Sequence, residues 1–405
     1  MPPDRGQGRR DRSATAEKRG YVGSSTACPS CRAAAKFEGY RDKQFVSVLG
    51  TVRCERGYYH CPRCHAGHFP WDQVLGLTVQ QLTPGAEQLV SLAGCLDSFA
   101  EAQQKILPRL AGIRLAESTV ERTTEAAGER VGELLAAGVR FGSAVDWKWQ
   151  VDAQGKRCAY VSVDATGVPQ QGPGGVAAEG RMPYIAMIYN PVPEQFAGKR
   201  PAWQARYLAG LYGLDELGPP LRRQAARVGW DRAERQIALT DGGNGLEDFI
   251  RVNFPLAERI LDFYHPAEKL SDLAKLWCRG DHEQAEALAA AWCHTMKHEG
   301  GRGVLAVLES LDLRGRSPAA REWHRQVVQY IGNNVHRMDY ARYLTMGWQI
   351  GSGPVESACK TVVGQRLKGA GMRWGEDGTD SVCHLRAVYK SESTQWDAFW
   401  NHSFN

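Results

Sequence analysis

Two sets of residues in this chain have the types and spacing of chemistry. The first is three carboxylates, each at the end of a chain element and beside glycine. Residues Ala159-Tyr160-Val161-Ser162-Val163-Asp164-Ala165-Thr166-Gly167 read as a β-branched strand that ends on Asp164 and runs into a Gly/Pro turn. Ile237-Ala238-Leu239-Thr240-Asp241-Gly242-Gly243 repeats the arrangement around Asp241. Gly351-Ser352-Gly353-Pro354-Val355-Glu356-Ser357 reads as a loop opening a helix, with Pro354 near the first helical position and Glu356 in the first turn. Three carboxylates brought together repel one another unless cations sit between them. Mg²⁺ (or Mn²⁺) prefers carboxylate oxygen and keeps water positions open. Two such ions about 3.5–4 Å apart activate a nucleophilic oxygen and stabilise a leaving oxygen in phosphodiester chemistry. Each acid alone has a plainer reading, since Asp before Gly forms turns and the helix dipole favours a first-turn Glu. The joint pattern carries the expectation of a divalent-metal site at Asp164, Asp241 and Glu356.

The second set is thiol. Five of the eleven cysteines fall between Cys28 and Cys64. Cys28-Pro29-Ser30-Cys31 and Cys61-Pro62-Arg63-Cys64 are two knuckles, each able to offer two thiolates to one tetrahedral Zn²⁺. The segment from Phe45 to His60 alternates like a hairpin between them. This is a zinc-ribbon pattern with a long spacer. Cys54, His60 and His65 read as strand and loop residues rather than ligands. A closed site of four cysteines has no open position, so no catalysis is assigned to it.

The elements that must position these groups fit a chain of 405 residues, long enough for one large core or two to three domains. Twelve Trp and 43% hydrophobic residues indicate a folded protein, and the net charge of +5 is too mild to name a nucleic-acid partner by itself. No run of eighteen apolar residues exists, so no membrane span is expected. The N-terminus lacks an apolar signal core, so a cytoplasmic protein is expected.

Residues 1–26, with Arg5, Arg9, Arg10, Arg12, Lys18 and Arg19, read as a disordered basic tail, either solvated or brushing phosphates. A zinc-ribbon domain is expected over 27–76. Residues 77–145 read as helices, with Gly112-Ile113-Arg114-Leu115 as a turn. That is compatible with a helix-turn-helix whose Arg114, Arg122 and Arg130 face phosphate, or with a plain packing module. Strands are expected over 156–164, 182–190, 237–241 and 259–265, with 205–211 a strand or a helix. Residues 266–345 read as an all-helical insertion. Strands, a helix, strands again and then a carboxylate-bearing helix fit an α/β core of the RNase H-like kind over 146–405. Asp262-Phe263-Tyr264-His265 is a D-x-x-H unit, in which His265 either orients substrate near the metals, positions Asp262, or merely packs. After Glu356, Lys360, Arg366, Lys368, Arg373 and Trp374 interleave charge, an aromatic and glycines, a composition suited to phosphate and base contact. Trp396, Phe399 and Trp400 are expected to pack back on the core.

Several of these motifs together resemble the ISKra-four group of bacterial insertion-sequence transposases. They are Val163-Asp164-Ala165-Thr166-Gly167-Val168-Pro169, Asp262-Phe263-Tyr264-His265, Gly351-Ser352-Gly353-Pro354-Val355-Glu356-Ser357 and Lys368-Gly369-Ala370-Gly371-Met372-Arg373-Trp374. Tyr58-Tyr59-His60-Cys61-Pro62-Arg63-Cys64, followed by Gly67-His68-Phe69-Pro70, is also similar. The resemblance covers most of the chain from about residue 27. It implies a D-D-E transposase with an RNase H-like core and a helical insertion before the Glu. The acids would be Asp164, Asp241 and Glu356, with Asp248 and Asp262 as alternatives for the second. They would bind two Mg²⁺, cut at the element end, and let the freed 3′-hydroxyl attack target DNA. The ribbon and the helical region would recognise terminal inverted repeats in double-stranded DNA. Two ends must be cut together, so a homo-oligomer on DNA, associated with the bacterial nucleoid, is expected. The rival reading is a non-catalytic DNA-binding regulator derived from a transposase. A third is a structure-selective nuclease with the same core.

Overall fold

The computed structural model describes residues 19–77, 81–191, 204–243, 245–392 and 394–402. Arg5, Arg9, Arg10, Arg12 and Lys18 of the expected tail lie outside the described residues. Residues 19–26 are ordered: the Gly57 N–H donates to the Arg19 carbonyl at 2.8 Å, and Ser25–Ala27 (β1) pairs with the next strand. The ribbon therefore takes up the end of the expected tail. The chain divides into two compact units, 1–127 with 400–405, and 128–399. The division falls inside a helix rather than at residue 145.

The first unit holds a four-stranded antiparallel sheet in the order β1-β2-β3-β4. The strands β2 (Ala34–Ser47) and β3 (Gly50–His60) form one long hairpin, and β4 is Gly67–His68. The hairpin begins eleven residues before Phe45, because Lys36, Phe37 and Tyr40 already alternate between the two faces; it passes through a bulge at Phe37/Gly39. Helices follow: α1 (Pro70–Val74), α2 (Pro84–Leu96), α3 (99–110) and the first half of α4 (Glu117–Ala136). Pro84 sits in the first turn of α2, and Ser98 caps α3 by accepting the Glu101 N–H at 3.1 Å. The apolar stripe Leu82, Ala86, Val90, Leu107, Ile113 and Val120 is buried together. Each full-sized aliphatic there contributes about 1.5–3 kcal/mol.

The second unit is built on a five-stranded mixed sheet in the order β11-β10-β5-β8-β9. β5 (Cys158–Ala165), β8 (Tyr184–Asn190) and β9 (Gln204–Gly210) are an antiparallel meander, so the stretch expected at 205–211 is a strand rather than a helix, ending at Gly210. Helix α5 (Leu214–Arg227) returns the chain to the far side of β5. There β10 (Arg235–Thr240) and, after α6 (Leu246–Asn253), β11 (Glu258–Leu261) add in parallel. Cys158 to Val163 are all buried, the continuous apolar run of a central strand covered on both faces. β6 (Val168–Gln171) and β7 (Ala177–Arg181) form a separate hairpin, with Val168 and Gln170 of β6 buried and β7 exposed.

Residues 264–345 contain only helices and their links: α7 (Tyr264–Trp277), α8 (His282–Glu309), α9 (Pro318–Asn334), a 3₁₀ turn and α10 (Tyr340–Thr345). β11 is shorter than the sequence suggests, and His265 belongs to α7 rather than to the strand. The strand's pairing stops at Leu261, and the Asp262 carboxylate accepts the His265 N–H at 3.2 Å, starting a helical turn. The chain ends with α11 (353–367), α12 (Glu376–Lys390) and α13 (Thr394–His402). Trp396, Phe399 and Trp400 are buried, with Phe399 edge-on to Phe141 at 5.6 Å. Among the described residues no helix is long and apolar enough to cross a membrane.

Candidate functional site

The two cysteine knuckles are built alike. Cys28 N–H donates to Ala33 and Arg32 N–H to Cys28, while Cys61 N–H donates to Ala66 and His65 N–H to Cys61, all at 2.8–2.9 Å. Arg32 and His65 occupy the same left-handed position, φ 61° and 59°. His65 is therefore a turn residue, and Cys54 lies up the hairpin opposite Lys43. The four sulfurs of Cys28, Cys31, Cys61 and Cys64 lie within 4.8 Å of one another, with Cys28–Cys64 at 3.6 Å and Cys31–Cys61 at 3.5 Å. A tetrahedral ion with Zn–S of about 2.3 Å sets S···S near 3.8 Å, so the set fits one Zn²⁺. Backbone N–H groups of Cys31 and Ser30 point at the Cys28 sulfur and bring its thiol down to about 6, the state a metal ligand needs.

The sheet brings three aspartates to one edge. Thr240 pairs with Val163 on one side and Leu261 on the other, so the next residue of each parallel strand is Asp164, Asp241 and Asp262 in a row. Their surroundings differ. Asp262 is 0% exposed; its Oδ1 accepts the Ser352 N–H at 2.7 Å and its Oδ2 the His265 N–H. Asp241 is partly exposed, accepts the Gly243 N–H at 2.9 Å, and faces the His265 Nε2 at 3.9 Å. Asp164 accepts the Ala165 N–H at 2.7 Å and the Cys359 thiol at 3.4 Å. Burial first, and then the Asp241 charge, raise the Asp164 carboxyl above its ordinary range. Burial likewise raises Asp262, against the pull of its N–H donors. Asp248 stands on α6, exposed and paired with Arg251 at 3.0 Å.

Glu356 comes to this edge on α11. The Ser352 hydroxyl donates to its Oε1 at 2.5 Å, and the Glu356 N–H closes the first turn on the Ser352 carbonyl at 3.0 Å. Cys359, one turn on, touches Asp164 and opens a π-helical segment, Cys359–Gly364. Burial, then the Asp164 and Glu356 charges, push the Cys359 thiol far up. Ser352, Cys359 and Arg337 are site residues that the sequence did not single out. Arg337, buried on the helical excursion, donates to the Thr240 hydroxyl at 3.2 Å and the Asp241 carbonyl at 3.4 Å. A cysteine three residues after Glu356 was the one available signal; Arg337 had none. The donor set at this edge is all carboxylate, which fits a hard divalent cation. Among the described residues, however, only the four cysteines bring three or more ligand atoms all within 4.8 Å.

The basic segment after Glu356 is split by burial. Lys360, Lys368 and Arg373 are exposed, and Lys368 bonds to the Thr166 hydroxyl. Arg366 and Trp374 are not on the surface, contrary to the expectation that they contact DNA. Arg366 is 1% exposed with its guanidinium 4.7 Å over the Trp374 ring, and the Trp374 indole N–H donates to Leu367. A cation stacked on an aromatic gives the same sequence pattern whether it faces outward or inward. Arg130, expected to face phosphate, lies 5.2 Å from the Phe399 ring.

No protein-family model matches the chain, and no curated protein matches it.

Proposed function

We propose that the chain is a D-D-E DNA transposase that binds the ends of an insertion sequence and carries out divalent-metal-dependent strand cleavage and strand transfer. The observation that carries this reading is the in-register row of strand-end aspartates with the Glu356 helix held to it through Cys359 on Asp164 and Ser352 on Asp262. The meander followed by two parallel strands, with helices between the last strand and the Glu-bearing helix, supports an RNase H-like core. So does the resemblance to the ISKra-four group. Asp164, Asp241 and Glu356 would hold two Mg²⁺ or Mn²⁺, which when bound supply Lewis-acid stabilisation of the attacking and leaving oxygens. Asp241 serves better as the second acid than Asp262, because both oxygens of Asp262 are engaged by backbone N–H groups. Asp262 instead ties the Ser352 loop to the strand end, and His265 steadies Asp241. The zinc ribbon and the helices after it would recognise terminal inverted repeats, and Lys360, Lys368 and Arg373 would grip the flanking strand. A homo-oligomer forms on DNA, in the nucleoid.

The test is strand cleavage of a DNA fragment carrying the element's own end, with Mg²⁺ or Mn²⁺, comparing wild type with Glu356→Gln. Cleavage by wild type alone is the expected result. Binding without cleavage by either protein favours a transposase-derived regulator. Cleavage by both removes Glu356 from the site.

A further inference from the structure

The second unit has a cleft of about 650 Å³, within the range of ligand sites, that begins at the residues next to Asp262 and runs toward Asp152 and Cys158 at the start of β5. One part of its wall comes from the two motifs that bracket the acids. Phe263 and Tyr264 directly follow Asp262, and Gly351 to Pro354 directly precede Glu356. Tyr264 is 57% exposed, an unusual position for a large aromatic that could have been buried. It rests on Gly351, where a side-chain carbon would come within 2.6 Å of the ring; glycine lets the ring lie against the loop. Buried Trp348 lies deeper in the wall, Lys297 of α8 brings a cation to the rim, and Gln349 has its carboxamide oxygen held by the Tyr189 hydroxyl at 3.1 Å.

We propose that this cleft receives one unstacked base of the DNA strand whose backbone lies at Asp164 and Asp241, with Tyr264 as the stacking platform. The inference rests on the reading of the carboxylates as a DNA-processing site. Its chemistry is that of single-strand recognition. An exposed ring offers a π-face to any base, a neighbouring ammonium meets the phosphate, and an amide lies near the base edge. A base drawn in here would be pulled out of the duplex within reach of the strand-end acids, fixing which phosphate meets them.

The experiment is a fluorescence-anisotropy titration with a labelled twelve-nucleotide thymidine strand and with an abasic strand of the same length and charge. Wild type, Tyr264→Ala and Tyr264→Phe are compared after their thermal midpoints are matched. Wild type is expected to prefer the thymidine strand. Tyr264→Ala is expected to lose about five- to a hundredfold on that strand and nothing on the abasic one, the worth of one base–aromatic stack. Tyr264→Phe should behave as wild type. If Tyr264→Ala binds both strands as wild type does, the cleft takes no base and the inference falls while the DNA reading stands. If wild type binds neither strand, the inference falls, and the DNA reading is decided separately by the cleavage of the element-end fragment.

Discussion

Asp262 ends β11 with no solvent exposure, and its two oxygens accept N–H groups from the Ser352 loop and from the first turn of α7. Asp262→Ala strands both donors in the interior. At about 1–3 kcal/mol for each buried unsatisfied donor, a loss of roughly 2–6 kcal/mol is expected in denaturant unfolding. Asp164 is tested with Asn, which keeps an acceptor oxygen while removing the charge. Its carboxyl, like that of Asp262, is raised in the fold by burial, and its contribution to stability is lost as pH climbs from the ordinary carboxylate range through the raised folded value. At pH 7, free of Mg²⁺ and Mn²⁺, the buried charge is destabilising. Asp164→Asn should therefore raise the thermal midpoint at pH 7 and leave it unchanged near pH 3, while abolishing any rise that added Mn²⁺ gives wild type. A lower midpoint for the variant at pH 7 would contradict this. Sequence made Asp164 and Asp241 visible because each precedes a glycine-containing turn, and Asp262 visible only through its D-x-x-H unit. It left Asp262 open as an alternative to Asp241, since depth of burial separates the two and no local pattern encodes depth. Arg366 and Trp374 were misread for the same reason.

At the scale of elements, the knuckles were the most legible part of the chain. The spacing of Cys28 to Cys31 and of Cys61 to Cys64 fixes a local turn, and a local turn needs no tertiary context. Purified wild type is expected to carry one Zn²⁺ per chain by elemental analysis. Cys61→Ser should lose it and expose the hairpin to protease, because ribbon folding is coupled to metal binding worth about 10 kcal/mol or more. The second half of α4 was less legible. Its sequence is compatible with a DNA-binding helical module or a packing one, and Gly128 lies so close to α12 that an added side-chain carbon would sit 1.9 Å from the Ser381 carbonyl. Gly128→Ala should lower stability by about 1–3 kcal/mol through overpacking, even though alanine is the better helix former. Unchanged denaturation midpoints would show that this close approach relaxes freely.

For DNA contact across the whole molecule, the basic segment after Glu356 offers at its surface Lys360, Lys368 and Arg373, with Arg366 buried. If these meet phosphates, Lys368→Ala should reduce the slope of log affinity against log salt by about one, with binding weakened for all sequences alike. Arg366→Ala should lower the thermal midpoint instead. The two strand-end motifs and the Glu356 loop are far apart in sequence, yet the Phe263 N–H donates to the Ile350 carbonyl at 2.8 Å, next to the Ser352–Asp262 bond. The helices between them leave the sheet and return to the point they left. Closing such a detour costs little more when it is lengthened, because the entropy grows only with the logarithm of its length. The interval along the chain between the second acid and the glutamate is thus free to drift by whole helices, in descent or by engineering, without moving either carboxylate. A search for relatives that fixes that interval would pass over chains with the same edge; one that fixes the short words around each acid and lets the gap float would not.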